Sequence, residues 1–144
     1  MSEWSKMDQV ELAMWEAELR ACIGIPWRHM GRQGLPYGHQ TGLDCVGLLM
    51  RGAYACGRPV QDMECYEGEP DGSLYGRIVS HVGSPCAPDR GCIVLMRILR
   101  EPHHVGYITM SGSLIHAYNG GSGVVVEHPF ATWANRIVSA WRLT

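Results

Sequence analysis

A cysteine begins a segment with the pattern of an amphipathic helix, within TGLDCVGLLMRGAYACG. After Cys45, apolar residues recur at helical spacing, and Gly57 followed by Pro59 ends the pattern. The first turn of a helix carries unpaired N–H groups and the positive end of the helix dipole. Both favour a thiolate, the form that attacks carbonyl carbons. Cys45 is therefore either a catalytic nucleophile or a small apolar residue buried at a helix start.

Two histidines lie in neighbouring predicted strands, where they could serve a cysteine nucleophile. Such a nucleophile requires a base that takes its proton and a third polar group that orients the base. His104 opens the run HVGYITM, and His116 follows in LIHAY, 12 positions later across a tight turn. An even separation lets both share one face of a hairpin if the turn register allows it. With His104 on the face toward the helix, strand alternation directs His103 away and makes it a poor candidate for the base.

The same residues have an alternative interpretation as a metal site. Cys45, His104 and His116 could be zinc ligands, but the two runs contain no acidic partner and no fourth ligand is evident. We therefore expect no metal. Four further histidines are expected to be ordinary surface or core side chains: His29, His39, His81 and His128.

Length and composition indicate one domain over residues 1–144. The net charge of -2 and the scattered Lys and Arg residues give no basic surface, so neither nucleic acid nor an anionic membrane is an expected partner. Charged residues interrupt the first 25 positions, so no signal peptide or membrane insertion is predicted, and synthesis in the bacterial cytoplasm is expected. The six cysteines include no C-x-x-C pair and are expected to be free thiols.

The order of the predicted elements indicates an α+β domain. A helix is expected over residues 8–23, followed by a shaped loop over 26–42 that leads to Cys45. The predicted core-facing stripe of that helix consists of Val10, Met14, Ala17 and Ala21, widened by Leu12, Trp15 and Leu19. Residues 58–88 are predicted to be irregular, with at best one short helix near 74–81. From Gly91 onward, four short β-rich runs predict an antiparallel meander against which the Cys45 helix packs.

Four motifs in this order resemble the NlpC-like cell-wall peptidases, which are small papain-like cysteine enzymes. The motifs are GIPWRHMGRQG, GLDCVGLL, HHVGYIT and SLIHAY, and the resemblance covers roughly residues 20–142. The similarity is greatest to the branch found in phage tail-assembly regions, which the ending VVVEHPFATWANRIVSAWRL also resembles. In that ending, Trp133 and Trp141 are expected to be packing residues.

The resemblance implies a papain-like NlpC-type fold and a set of catalytic residues. It implies that Cys45 is the nucleophile, His104 the general base and acid, and His116 the group that orients His104. Where the family commonly has a tyrosine whose hydroxyl faces the active site, this sequence has Trp27, whose indole N–H cannot replace a hydroxyl. Asp44 is expected to cap the helix or to hold the loop.

Candidate oxyanion donors or substrate contacts are the Cys45 backbone N–H and the residues Trp27, His29, Arg32, Tyr37 and Asp44. A second departure is Gly91-Cys92, where the family usually has Gly-Asp. We expect this change to affect local structure only.

The resemblance further implies hydrolysis of an amide by acyl transfer in the stem peptides of bacterial peptidoglycan, at a bond that joins D-glutamate to a diamino acid. No cofactor is needed. Because no export signal is predicted, a phage or phage-like tail tip is the expected carrier, with tail-tip or hub proteins as partners and the host cell wall or periplasm as the place of action. Two alternatives remain: a catalytically silent structural or plug component of a tail tip, and a thiol acyltransferase on the same fold.

Overall fold

The fold is described by a computed structural model over residues 4–58, 82, 84–98, 101–121 and 123–144. The elements within these residues are α1 (Gln9–Ala21), α2 (Cys45–Ala55), β1 (Cys92–Ile98), β2 (Glu101–Ile108), β3 (Ser113–Ala117), β4 (Val125–Pro129) and β5 (Ile137–Arg142). Two 3₁₀ turns, Phe130–Thr132 and Ala134–Arg136, precede β5. The short helix predicted near residues 74–81 lies outside the described residues, and so do Cys65 and His81.

Helix α1 begins with reciprocal capping and buries one face. The Asp8 side chain accepts a hydrogen bond from the Glu11 N–H at 2.8 Å, and the Glu11 side chain accepts one from the Asp8 N–H at 3.1 Å. The buried residues are Leu12, Trp15 and Leu19. The predicted stripe of Val10, Met14, Ala17 and Ala21 is instead exposed. Turning the larger Leu and Trp side chains to the core removes more apolar area from water.

The strands form a five-stranded antiparallel sheet in the order β4-β3-β2-β1-β5. The first four strands are the predicted meander, in which each strand pairs with the next along the chain. Strand β5 is missing from the prediction: the chain returns after the 3₁₀ turns and pairs along the other edge of β1, with Ile93 opposite Trp141. Trp133 and Trp141 are both buried, as expected of packing residues.

The start of β1 explains the local role of Gly91-Cys92. Gly91 has a φ of 83°, a conformation that favours glycine, and Cys92 is fully buried as the first residue of the strand. The Cys92 sulfur lies 3.8 Å from that of Cys86. Gly91 and Cys92 thus contribute to the turn and the packing at the start of β1.

Alternation along the strands separates two faces of the sheet. The helix-side face carries Ile93, Leu95, Val105, Tyr107 and Ile115, which share one core with the buried residues of α1 and α2. The opposite face carries Val94, Met96, Ile108 and Leu114, which pack with Trp133. Helix α2 contacts β2 and β3, so the α+β class and the packing of the Cys45 helix on the sheet are confirmed. In the described part of the chain, the helices are too short or too polar to span a membrane.

The loop before α2 approaches that helix closely because both carry glycine. A Cβ at Gly47, in the first turn of α2, would collide with the carbonyl oxygen of Gly31. A Cβ at Gly31 would lie 2.5 Å from the carbonyl oxygen of Gly42. Side chains at these positions would therefore push the loop away from the helix start.

Replacement of Gly47 by alanine is expected to destabilise the fold by about 1–3 kcal/mol, although alanine is the better helix former by about 1 kcal/mol. The collision with Gly31 outweighs the gain in helix propensity. Urea unfolding measures the difference. Ala13→Gly, on the exposed side of α1, is a control for propensity alone and is expected to cost about 1 kcal/mol. A Gly47→Ala variant more stable than wild type would contradict the packing role.

Candidate active site

The first turn of α2 is held by the carboxylate of Asp44. As the N-cap residue, Asp44 accepts a hydrogen bond from the Gly47 N–H at 2.8 Å. The same oxygen accepts from the Arg32 guanidinium at 2.8 Å, and the second oxygen accepts from the Met30 N–H at 2.8 Å. One carboxylate thus caps the helix and ties the preceding loop to it, as expected from its position before the cysteine.

Arg32 and Asp44 lie beneath the surface. The Arg32 side chain is fully buried, and Asp44 is 2% exposed. The prediction that these two side chains contact substrate or an oxyanion does not fit this burial. They support the loop instead, since a buried guanidinium and a buried carboxylate each require a charged partner.

Cys45 is the first residue of α2, and it is 8% exposed. The backbone N–H of Val105 on β2 lowers the pKa of this thiol, so the sulfur lies near that part of the strand. In the described residues, the ladder between β2 and β3 starts with Tyr107 opposite Ile115 and continues toward the hairpin turn. The thiol therefore meets β2 outside this ladder, at the residue that follows His104.

The Cys45 thiol is strongly protonated in the resting protein. Burial, and to a smaller extent the negative charge of Asp44, raises the pKa of this thiol to about 12. The Val105 and Val46 N–H groups and the charge of Arg32 lower the pKa of this thiol, but their effects are smaller. The N–H groups at the helix start favour a thiolate, as expected, but burial outweighs them. A thiolate near neutral pH requires a group that accepts the proton.

His104 and His116 form a hydrogen-bonded pair. Nε2 of His104 lies 2.7 Å from Nδ1 of His116. His104 is 5% exposed and His116 is fully buried, so little water competes for this bond. The two rings share one face of the hairpin, as their even separation allows.

The shared face is the opposite face of the sheet, and not the helix-side face expected for His104. His104 pairs with Met96 of β1, and a Cβ at Gly106 would lie 3.1 Å from both Met96 Cε and His116 Cβ. Val105, between His104 and Gly106, belongs to the helix-side core together with Cys45. The thiol and the imidazole are therefore associated with adjacent residues of β2, Val105 and His104.

Aromatic side chains enclose His116 and keep it neutral. Tyr118 stacks on its ring at a centroid distance of 5.4 Å, and Trp133 meets it edge to face at 4.6 Å. Burial, followed by the neighbouring His104 and His128, lowers the pKa of His116 to about 2. A ring that stays neutral has one N–H and one lone pair, so it can donate at one nitrogen and accept at the other.

A third histidine extends the pair. Nδ1 of His128 lies 2.8 Å from Nε2 of His116. His128 stands on β4 opposite Leu114 of β3, which places it on the same face as His116. The sequence interpretation as an ordinary side chain missed this contact. The signal was present in the predicted strand GVVVEH that follows LIHAY, but the register between the two strands is not contained in either run.

The remaining candidates for substrate or oxyanion contact lie at different distances from Cys45. Trp27 forms a bridge with Leu43, two residues before Cys45, and its ring lies 6.5 Å from that of the exposed His29. These two residues stay candidates for substrate contact. Tyr37 packs on Tyr54 at 6.1 Å, nine residues beyond Cys45 and about 13 Å further along the helix axis. Its predicted contribution next to the thiol does not fit this position.

The histidine row is arranged for hydrogen bonding between its members. Both nitrogens of His116 face a nitrogen of a neighbouring imidazole, at 2.7 and 2.8 Å. Ligands of one metal ion would instead direct their lone pairs at a common point. Among the residues that the structure describes, there is no group of three or more His, Cys, Asp or Glu side chains that could hold a metal ion. The groups available for chemistry are this row of three imidazoles and the Cys45 thiol, which is near Val105, the residue after His104.

The fold is an α+β architecture shared with solved NLP/P60 domains. No protein-family model matches the sequence, and no curated protein matches it. Among solved structures, the P60 domain of antigen MAP1204 from Mycobacterium avium subspecies paratuberculosis aligns with a TM-score of 0.66 at 18% identity, over 94% of this chain and 96% of that chain.

Two further structures show the same fold. The peptidoglycan hydrolase RipB from Mycobacterium tuberculosis aligns with a TM-score of 0.66 at 17% identity, over 96% of this chain and 69% of that chain. A protein of Staphylococcus aureus, described as similar to a lipoprotein of the NLP/P60 family, aligns with a TM-score of 0.65 at 14% identity, over 96% of this chain and 43% of that chain. At these identities the likeness establishes the fold.

Acid is expected to destabilise the protein through His116. The unfolded ring takes up a proton below pH about 6.5, whereas the folded ring stays neutral because its pKa is lowered to about 2. As the pH falls below 6.5, the unfolded state binds more protons, so the free energy of unfolding decreases by up to about 1.4 kcal/mol per pH unit. Urea unfolding between about pH 5.5 and 6.5, where ordinary carboxylates are mostly ionised, measures this slope. His116→Asn should flatten it, and an unchanged slope would contradict the prediction.

Proposed function

We propose that this protein is a cysteine peptidase that hydrolyses amide bonds in peptidoglycan stem peptides. The observation that carries the proposal is the hydrogen-bonded His104–His116 pair, which adjoins Val105, the β2 residue whose N–H lowers the pKa of the Cys45 thiol. A thiol at a helix start, a base and a third group that can orient the base are the groups that a cysteine nucleophile requires, which supports the proposal. The overall fold agrees with such an enzyme.

The proposed reaction is acyl transfer to the thiol and then to water. His104 accepts the Cys45 proton at Nδ1, the ring nitrogen that does not face His116. The thiolate attacks the carbonyl carbon, and the Cys45 backbone N–H at the helix start stabilises the oxyanion. His104 then donates the proton to the leaving amine. Water, deprotonated by His104, releases the acyl group and restores the thiol.

The substrate and the carrier follow from resemblance. The likeness of the four motifs to NlpC-like peptidases, together with a fold shared with a peptidoglycan hydrolase, supports a stem peptide as substrate. The bond proposed is the one between D-glutamate and the diamino acid. A phage or phage-like tail tip is the proposed carrier, with tail-tip or hub proteins as partners in the virion.

Digestion of purified peptidoglycan tests the activity. We expect the wild-type protein to release fragments cut between D-glutamate and the diamino acid, as identified by mass spectrometry, and Cys45→Ala to release none. His39→Ala, at an exposed position of the loop, is the matched control and should cleave like wild type. A folded wild-type protein that releases no fragment would overturn the proposal. Absence of the chain from purified particles would overturn the tail-tip assignment alone.

One observation favours a second candidate, a structural tail-tip component that keeps the fold without the chemistry. The Cys45 thiol is buried, and its pKa is raised to about 12. Such a thiol is inert unless His104 takes its proton. The two candidates therefore differ in whether the reactivity of Cys45 depends on His104.

A further inference from the structure

We propose that His128 is a positioning residue that sets the tautomers of His116 and His104, so that His104 can accept the Cys45 proton. The effect on Cys45 rests on the proposed function. The arrangement of the rings rests on the histidine row, which is formed by His104, His116 and His128. The row consists of two contacts, His104 Nε2 to His116 Nδ1 at 2.7 Å and His116 Nε2 to His128 Nδ1 at 2.8 Å. His128 is thus the outer member of the row, and His104 and His116 lie between it and the thiol.

The packing around His128 holds its ring in place. The ring lies nearly parallel to that of Trp133, with centroids 5.6 Å apart and an interplanar angle of 15°. Trp133 also meets His116 edge to face at 4.6 Å, and the Arg136 guanidinium carbon lies 4.6 Å from the Trp133 ring centroid. One indole therefore contacts both histidines and fixes the angle between them, which is 68°.

The direction of the hydrogen bonds follows from what His104 must do. To accept a proton at Nδ1, the neutral His104 ring must carry its own proton at Nε2, which then donates to His116 Nδ1. His116 accepts there, so its proton is at Nε2 and donates to His128 Nδ1. His128 supplies the acceptor that makes this direction favourable, and donation from His116 also strengthens its acceptance from His104.

The reversed direction would block the reaction. If His128 donated from Nδ1, His116 would accept at Nε2 and donate from Nδ1 to His104 Nε2. His104 would then carry its proton at Nδ1 and could not accept another there. The wrong tautomer of a catalytic histidine lowers turnover even when its position is unchanged. An acceptor at the end of the row therefore selects the competent state.

Two measurements on the resting protein test this inference without any substrate. Nitrogen-15 NMR of the imidazole rings distinguishes the two tautomers, and alkylation by iodoacetamide near neutral pH reports how readily Cys45 loses its proton. We expect His104 and His116 of the wild-type protein to carry their protons at Nε2. His128→Phe keeps an aromatic ring beside Trp133 but removes the acceptor, and it should slow alkylation of Cys45 about tenfold.

His128→Asn is the matched rescue variant, because its side-chain oxygen can accept the bond at the position of Nδ1. It should recover most of the alkylation rate, and His39→Phe in the exposed loop should not change it. A wild-type His116 protonated at Nδ1, or equal alkylation of wild type and His128→Phe, would overturn the inference. If the expected tautomers and rates are found but peptidoglycan is not cleaved, the proposed function is overturned and this inference is supported.

Discussion

Replacement of His104 by alanine is expected to slow alkylation of Cys45 near neutral pH by about 10²–10⁴-fold. The reason is the protonation of the thiol, whose pKa burial raises to about 12. At pH 7 such a thiol without a base is a thiolate in only about one molecule in 10⁵. In the wild-type protein, proton transfer to His104 supplies the thiolate at a pH where the isolated thiol cannot.

The pH dependence of Cys45 alkylation distinguishes the wild-type protein from His104→Ala. In His104→Ala, the rate should rise about tenfold per pH unit well beyond pH 9, because the raised pKa of Cys45 delays ionisation. In wild type, a second component should appear at lower pH, where the neutral His104 takes the proton. Mass spectrometry identifies the modified cysteine and so distinguishes Cys45 from Cys22. Burial raises the pKa of Cys22 to about 11, and the charged groups that affect this pKa are Arg51 and Glu18, not a histidine.

The same substitution should lower kcat on peptidoglycan by a similar factor with little change in KM, because a base acts on the chemical step and not on binding. His104→Gln keeps a polar group beside His116 but cannot carry the proton, and it should be as impaired as the alanine variant. His39→Ala is the control at an exposed position. If wild type and His104→Ala show the same alkylation profile, the structural tail-tip component becomes the better interpretation.

Replacement of Arg32 by methionine is expected to destabilise the fold by about 3–5 kcal/mol. Arg32 is fully buried, and its guanidinium donates to Asp44 at 2.8 Å and to the Gly31 carbonyl at 2.9 Å. Methionine has a similar length but leaves the Asp44 carboxylate buried without its cation. The cost arises mainly from that uncompensated charge, since the Met30 and Gly47 N–H groups can satisfy only part of it.

Urea unfolding of two further variants tests the cause. In the double variant Arg32→Met with Asp44→Asn, the charge is removed while the side-chain oxygen can still cap α2, so part of the lost stability should return. Arg51→Met breaks a pair with Glu18 whose side chains are 17% and 28% exposed, and it should cost only about 1 kcal/mol. Equal losses in Arg32→Met and Arg51→Met would contradict the effect of burial.

Local pattern was sufficient to predict most of the framework. The helix start near residue 8, the cap at Asp44, the glycine after each helix and the four β-rich runs are signals that neighbouring residues create by themselves. The exposed stripe of α1 shows the limit of this reasoning. The sequence offers two apolar stripes at helical spacing. Helix α2 and Tyr107 of the sheet cover the stripe that contains Trp15, and this packing determines which stripe is buried. Strand β5 was missed because its partner, β1, lies about forty residues earlier in the chain.

The sequence by itself determined the reactive groups: a thiol in the first turn of a helix, a carboxylate that caps it and two histidines at an even separation on a hairpin. Only the tertiary structure decided their properties. Burial against β2 raises the pKa of Cys45, the inward turn of Arg32 makes it a support of the loop, and the pairing of β4 with β3 places His128 on His116. Each of these three properties depends on the register and burial of segments that are distant along the chain. Residue types and local spacing do not determine register or burial between such segments.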